Sequence, residues 1–334
     1  MRYFFALVFC VLPLTGWAQD WEDRQVFGNG AAPALRIISS TDTSFFAPVI
    51  ESYLAQRTGQ SVEYLVTSTA QLDRIFRADP GAFDLVISSA MDLQFKLAND
   101  GFARTLDGVT HPDWAQWRQS LFAFTTEPAT IVINREAFAN RRLPETRQDL
   151  IEALRADPER FAGRLGTYDV RQSGLGFLFA TQDARTSETY WRLMEVMGAM
   201  GTKLFCCSGG MIDDVASGEI AVAYNVLGSY ASARRDITDK IKVILPADFQ
   251  TTMMRTAFVS RDTKQPVAAT SFVQHLIALQ ASTTANDDIA LPHLDHANAT
   301  EGQVTIALEP ALMTYLDALK KQTFLKEWVN AVIQ

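Results

Sequence analysis

Leu35-Arg36-Ile37-Ile38-Ser39-Ser40-Thr41-Asp42-Thr43 is the stretch whose reading decides the fold. A short apolar strand is followed at once by a run of small hydroxyl-bearing residues. Beyond that turn, Phe45, Phe46, Val49, Ile50, Tyr53 and Leu54 recur at the spacing of a helix with one apolar face. Strand, polar turn and amphipathic helix make a unit in which the helix folds back over the strand. The unit recurs downstream. Residues 62–66 form a second strand, and Thr67-Ser68-Thr69 opens a helix carrying Leu72, Ile75 and Phe76. Asp84-Leu85-Val86-Ile87 is a third strand, running into Ser88-Ser89-Ala90-Met91-Asp92 and another helix. This alternation predicts the α/β class, with mostly parallel sheets covered by helices.

Near Pro128 the chain changes character, and Thr130-Ile131-Val132-Ile133-Asn134 begins a second unit. Thr146 and Asp149 stand at capping-box spacing and start a helix ending near Ala156. Gly166-Thr167-Tyr168 and then Gly174-Leu175-Gly176 repeat the strand-to-helix step. A long amphipathic helix is expected over 188–200, with strands at 203–205, 220–224, 243–245 and 256–259. Three helices are expected in the tail, at 266–280, 310–319 and 324–332.

Outward toward the N-terminus, Met1-Arg2 gives a positive start and residues 3–14 are almost wholly apolar. Gly16-Trp17-Ala18 sets small residues at the minus-three and minus-one positions of a cleavage site. That order predicts a secretory signal peptide over residues 1–18 and a periplasmic mature chain. No lipid anchor is expected at Cys10, because Phe9 precedes it where a small residue is needed. About 315 residues remain after cleavage, more than one hydrophobic core usually serves, so two lobes are expected. The net charge of −8 argues against a nucleic-acid partner, which needs a basic face. An anionic small ligand stays open, since local donors decide binding inside a cleft.

In open parallel sheets, ligands bind beyond the carboxyl ends of the strands, where helix N-termini present free N–H groups. Ser40, Thr41 and Asp42 stand at one such end, Ser68 at a second, Ser88 and Ser89 at a third. Ser173, Gly174 and Ser208 take equivalent places in the second half. Each position alone reads equally as a simple helix cap; the set facing one cleft reads as a binding site. Arg171 is the candidate for charge, because a guanidinium grips a carboxylate or phosphate bidentately. Its plainer readings are a surface arginine or an ion pair between lobes. Tyr224 and Asn225 offer a hydroxyl and an amide at a strand end, while Tyr230 on the next helix reads as core. Asp42 and Asp92 read as caps, or as acceptors for a hydroxyl or ammonium group.

Cys206 and Cys207 are the mature chain's cysteines, and they read either as a disulfide between neighbours or as two reduced, buried thiols. A Cys-x-x-Cys redox motif is absent. His293 and His296 stand three apart, but four scattered histidines do not make a metal site, and none is expected. No His-Glu-x-x-His, Gly-x-Ser-x-Gly, Walker or dinucleotide fingerprint appears, so neither a catalytic residue nor a cofactor is nominated.

Five stretches carry a family likeness. They are Ile37-Ile38-Ser39-Ser40-Thr41-Asp42, Asp84-Leu85-Val86-Ile87-Ser88-Ser89, Pro128-Ala129-Thr130-Ile131-Val132-Ile133-Asn134-Arg135, Ser217-Gly218-Glu219-Ile220-Ala221-Val222-Ala223-Tyr224-Asn225 and Arg255-Thr256-Ala257-Phe258-Val259. Together they resemble the extracellular solute-binding proteins of ABC transporters, in the branch related to ferric-iron, phosphonate and sugar-phosphate binders. The resemblance covers nearly the whole mature chain. It implies a two-lobed periplasmic-binding-protein fold, each lobe a mostly parallel sheet covered by helices. Lobe one would hold residues 32–127 and 256–334, and lobe two residues 129–250. Two crossing strands would form a hinge near 128–131 and 250–256, with the terminal helices packed on lobe one. The expected function is capture of a small polar, anionic solute, phosphorylated or carboxylate, by a monomer that delivers it to an ABC permease. Two alternatives are presentation of the ligand to a periplasmic sensor kinase, and binding of ferric ion. Ferric members of the branch generally use two neighbouring tyrosines, whereas here Asn225 follows Tyr224. A third reading, an exported hydrolase on the same fold, lacks a nominated nucleophile.

Overall fold

The computed structural model describes residues 21–30, 33–281, 289–295 and 303–334. The expected signal peptide and His296 lie outside the described residues. The first unit runs β1 (Asp23–Gly28), β2 (Leu35–Ser39), α1 (Thr43–Ala55), β3 (Ser61–Val66), α2 (Thr69–Ala78), β4 (Leu85–Ser88) and α3 (Met91–Asn99). After the short β5 (Gln116–Trp117), the long β6 (Leu121–Asn134) crosses to the second unit. That unit continues with α4 (Arg147–Ala156), α5 (Pro158–Phe161), β7 (Leu165–Tyr168), α6 (Gly174–Thr186) and α7 (Thr189–Ala199). Next come β8 (Lys203–Phe205), α8 (Ser208–Ser217), β9 (Val222–Leu227), α9 (Gly228–Ala233) and β10 (Ile241–Ile244). The chain returns along β11 (Gln250–Val259), followed by α10 (Pro266–Ala281), β12 (Gln303–Thr305) and α11 (Ala318–Val332).

Strand order is β1-β3-β2-β4-β11-β6-β9-β7-β8. β2 lies parallel to both β3 and β4, and β7 lies parallel to both β8 and β9. Between these two parallel sheets run β6 and β11, antiparallel to each other from Thr252 opposite Pro128 to Ala257 opposite Phe122. β6 serves both halves. Through Pro128 it pairs with β11, and from Ala129 onward it pairs with β9. A proline has no N–H to give a ladder, so it fits where the strand changes partners. This is the two-lobed α/β arrangement with two crossing strands, and β3 and β4 are buried along their whole length.

α1 and α10 cover one face of the first sheet, burying Phe46, Val49, Ile50, Phe272 and Val273 against Ile37, Tyr64 and Ile87. The corresponding core of the second lobe gathers Ile131, Ile133, Leu150, Leu165, Leu193 and Met197. A third cluster, including Ile38, Val86, Met253, Met254, Leu178 and Val226, fills the space between.

The tail departs from expectation. α10 packs on lobe one as the family resemblance implied, but α11 does not. Phe324, Trp328, Ala331 and Val332 are buried in the lobe-two core beside Leu193 and Met197 of α7. Phe324 meets Phe177 of α6 edge-on at 5.5 Å. Assigning everything after residue 256 to lobe one is therefore corrected from about Ala318 onward: α7 leaves an apolar stripe that the amphipathic α11 covers. The separate helices expected at 310–319 and 324–332 are a 3-10 segment, Pro310–Leu316, and the single α11.

Candidate functional site

The carboxyl ends of the two parallel sheets meet at one gap, about 50 Å3 in volume. Lobe one contributes Glu22, Ser40, Asp42, the Thr67-Ser68-Thr69 corner and Ser89. Lobe two contributes Tyr168, Ser173, Leu175, the Cys206-Cys207-Ser208 corner, Leu227 and Tyr230, while Arg255 comes from the crossing strand β11. The N-termini of α1, α2, α6 and α8 all begin at residues of this lining. Their first-turn amides aim partial positive charge at the gap.

The corners are fixed by short local bonds. Ser40 Oγ and Ser88 Oγ lie 3.1 Å apart, and Ser89 N–H donates to Ser40 Oγ. Ser68 Oγ accepts from Gln71 N–H, and Ser173 Oγ accepts from Gly176 N–H, so each caps its own helix. Ser208 Oγ lies 2.6 Å from the Tyr168 hydroxyl and accepts the Leu227 N–H, tying β7, α8 and β9 together.

Four contacts cross the gap itself. Tyr230 stacks on Phe45 with ring centroids 4.3 Å apart, and its hydroxyl accepts the Asp42 N–H. Thr69 Oγ1 accepts the N–H of Gly174 at 2.8 Å and of Leu175 at 3.3 Å. The lobes are thus closed on each other, which accounts for the small volume.

Arg255 forms the floor. It is fully buried, with Nε and Nη2 donating to Glu127 at 2.9 and 3.0 Å and Nη1 to Thr41 Oγ1 at 2.5 Å. Thr125 and Ser229 hydroxyls also donate to Glu127. Burial alone would raise the Glu127 carboxyl, but the guanidinium beside it wins and holds it below the usual range. The ion pair joins both crossing strands to lobe one through Thr41 and to lobe two through Ser229. Asp42 and Glu22 sit higher on the wall. Burial raises the pKa of both; Arg255 partly offsets this at Asp42, while the Asp42 charge adds to it at Glu22.

A family model described as bacterial extracellular solute-binding protein matches residues 38–281. The chain belongs to that family. Its members are binding components of ABC transporters rather than enzymes, and the family is extracellular by description. This solute-binding protein is similar to the substrate binding protein of an ABC transporter from Agrobacterium tumefaciens, at 28% identity and TM-score 0.86, over 93% of this chain and 98% of that one. It shares its fold with the periplasmic binding protein AfuA of Actinobacillus pleuropneumoniae, solved with fructose-6-phosphate, at 12% identity, TM-score 0.70, and 90% and 98% coverage. It likewise shares it with iron-bound HitA of Pseudomonas aeruginosa, at 15% identity, TM-score 0.61, and 90% and 99% coverage. No curated protein matches significantly.

Of the residues that the sequence nominated, Ser40, Asp42, Ser68, Ser89, Ser173 and Ser208 line the gap of this solute-binding protein. Thr41 and Ser88 lie behind it, buried, holding Arg255 and Ser40. The Gly174 amide is taken by Thr69.

Three nominations are corrected. Arg171 is not in the lining: its side chain is 43% exposed and grips Asp169 with Nε and Nη2 at 2.8 and 2.7 Å. A carboxylate two residues away satisfies the guanidinium more readily than a reach into the gap. Tyr224 and Asn225 face a buried network instead. Tyr224 donates its hydroxyl to Asp183 at 2.6 Å, Asn225 Nδ2 donates to the same carboxylate, and Arg147 Nε donates to the Tyr224 hydroxyl. Their direction follows from Arg147 and Asp183, which are themselves fully buried and require partners.

The sequence reading missed Arg255 as a lining residue, along with Glu22, whereas Thr69 belongs to the hydroxyl-bearing corner it picked out. A single arginine among Met253, Met254, Ala257 and Phe258 is the signal that could have found the first, since a cation in an apolar strand has a buried partner. Glu22, just ahead of the edge strand β1, carried no local pattern. Cys206 and Cys207 are exposed thiols with Sγ atoms 2.8 Å apart, so neither reading of a buried pair nor of a bonded one describes this structure. Asp92 is buried in the first turn of α3 with one carboxylate oxygen lacking a partner, and burial pushes its pKa up to about 7. His293 Nδ1 lies 3.1 Å from the Gln280 carbonyl oxygen, and no cluster of three metal-ligating side chains occurs among the described residues.

Proposed function

We propose that this solute-binding protein, after export to the periplasm, captures a small polar solute with an anionic end between its lobes and hands it to an ABC permease. The observation that carries the reading is the shared gap, into which both lobes bring hydroxyl-bearing corners at helix N-termini. Helix amides and serine hydroxyls suit a phosphate or carboxylate without a free cation. Arg255 adds a guanidinium whose charge Glu127 already balances. Asp42 and Glu22 repel a second negative charge and accept hydrogen bonds, so the solute's other end carries hydroxyl or ammonium groups. Small sugar phosphates, hydroxy acids and amino acids meet this description.

Ferric ion fits less well. Tyr168 and Tyr230 do line the gap, but their hydroxyls are committed to Ser208 and to the Asp42 amide. Burial also raises both phenols above their ordinary values, against the phenolate that a ferric centre needs.

A thermal-shift screen of the mature chain tests the reading, with sugar phosphates, hydroxy acids, phosphonates, amino acids and ferric salts as arms. A ligand that binds the folded form in excess over its Kd raises the midpoint by mass action. A shift with one of the anionic or zwitterionic classes supports the proposal. A shift confined to ferric salts overturns it.

A further inference from the structure

We propose that Cys206 and Cys207 are a reversible dithiol–disulfide site in the cleft wall, whose oxidant is a small or protein disulfide. Both residues line the gap, their Sγ atoms are 2.8 Å apart, and both are exposed. They occupy the whole turn between β8 and α8. Glu22 shares the gap lining with them, and no cluster of three metal-ligating side chains is present among the described residues. The residues that follow leave room around the turn. Behind it, Gly209 has open space where a side chain would project, and Gly210 meets only the Phe205 ring at contact distance.

The chemistry balances without a further reagent. One cysteine thiolate attacks a sulfur of the oxidant, forming a mixed disulfide and expelling one thiol. The second cysteine, as thiolate, attacks the cysteine sulfur of that mixed disulfide and expels the second thiol. The protein loses two S–H bonds and gains one S–S bond, and the oxidant is reduced to two thiols. Adjacent Cα atoms lie about 3.8 Å apart across a trans peptide, below the roughly 4.4 Å lower limit common for disulfides. A ring between neighbours is therefore strained and is reopened easily by thiols, which makes the site reversible. Partial burial of its sulfur in the cleft wall, and then the hydrogen bond to Cys206, push the Cys207 thiol up to about 12, so its own attack is slow at neutral pH. Ring closure must turn the peptide joining the two cysteines, one residue ahead of Ser208, which is clamped by Tyr168 and Leu227 at the cleft. Oxidation then alters the wall that the solute touches, a consequence that rests on the cleft being the solute site.

The test uses the mature chain with glutathione disulfide as oxidant, followed by iodoacetamide and intact-mass measurement. The expected product is a monomer lacking two hydrogens, refractory to alkylation at both cysteines and restored by dithiothreitol. The variant Cys207→Ser should instead keep a glutathione adduct on Cys206. A wild-type product that stays alkylatable at both positions, ends as a stable glutathione adduct, or links two chains overturns the site. The reduced and oxidised forms are then compared against the best solute of the thermal screen. A shift changed severalfold or more by oxidation supports the wall role, and equal shifts overturn it. Failure of every solute to shift either form counts against the solute reading alone, and leaves the disulfide chemistry to its own assay.

Discussion

Thr69 Oγ1, at the head of α2 in lobe one, accepts the backbone N–H of Gly174 at the head of α6 in lobe two, at a distance of 2.8 Å. A helix N-terminus in one lobe is thus capped by a side chain of the other. Gly174 permits the approach: a Cβ there would meet Leu93 Cδ1 at 2.9 Å and Thr69 Oγ1 at 3.2 Å. The amides that could receive an anion are, in this closed form, held by a hydroxyl. On the proposed function, a solute would compete with Thr69 for these amides, and the closed form draws part of its stability from the Thr69 bonds.

Replacing Thr69 by Val keeps the shape and removes the acceptor. A neutral hydrogen bond contributes about 1 kcal/mol, and Thr69 Oγ1 accepts two, so the closed-to-open ratio should fall at least roughly fivefold. Small-angle scattering of the solute-free variant should give a larger radius of gyration than wild type, whereas Thr69→Ser should match wild type. An unchanged radius in Thr69→Val would remove Thr69 from closure.

The Arg255–Glu127 pair has a different character, because both side chains are fully buried. Removing one partner leaves an uncompensated charge in the hinge. Arg255→Met should cost about 3–5 kcal/mol of unfolding free energy, and Arg255→Met combined with Glu127→Leu should recover much of the loss. Urea denaturation of both singles and the double measures the coupling. Additive losses would show that the pair does not act as a unit.

Arg171 provides the contrast. Its guanidinium is exposed and paired with Asp169 beside it, so Arg171→Ala should change stability by less than about 1 kcal/mol. Affinity for an anionic solute should stay within about twofold of wild type, since no lining atom is lost. Titration calorimetry against the best solute decides; a tenfold loss would return Arg171 to the site.

The difference between Arg171 and Arg255 marks how far the sequence could be read. Periodicity and turn chemistry predicted the central strands of both lobes and the helices that follow them, because Ile37, Ile38, Val86 and Ile87 record burial at each position; the edge strand β1 and the short β5 and α5 carried too little pattern. The same pattern predicted the corners, since Ser40, Ser68, Ser89, Ser173 and Ser208 directly follow strands or open helices. Direction across the sheet was not legible. Whether Arg171 turns inward depends on Asp169 two residues away, and whether Tyr224 faces the gap depends on Arg147 and Asp183, far off in sequence. The docking of α11 was hidden for the same reason: its apolar face fits either lobe until α7 is in place.

Asp92 makes stability depend on pH. Its folded-state pKa, pushed up to about 7 by burial, lies above the ordinary carboxylate value of 3.8. The folded state therefore holds a proton that the unfolded chain gives up. Stability from this group is full below about pH 4 and is lost as pH rises through about 7. At one pH unit per 1.36 kcal/mol, the loss is about 4 kcal/mol at most. Asp92→Asn should be more stable than wild type at about pH 8 and nearly equal to it at about pH 4. Chemical denaturation at both values checks the sign, and a gain at the lower pH alone would refute it.

Gly198 tests the corrected placement of the C-terminal helix. It lies in α7, and a Cβ built on it would stand 2.1 Å from the Ala331 carbonyl oxygen and 2.9 Å from the Val332 Cα. Both are backbone atoms of α11, so no side-chain rotation relieves the clash. Gly198→Val must push α11 away from α7, exposing Trp328 and Val332, which are almost wholly buried. Burial of such side chains is worth about 1.5–3 kcal/mol each, and overpacking alone costs about 1–3 kcal/mol. The variant should melt several degrees lower, and its tryptophan emission should shift to longer wavelength as Trp328 reaches water. Adding Trp328→Phe should abolish most of the emission change while keeping the lower midpoint. If Gly198→Val melts like wild type with unshifted emission, α11 does not pack on lobe two.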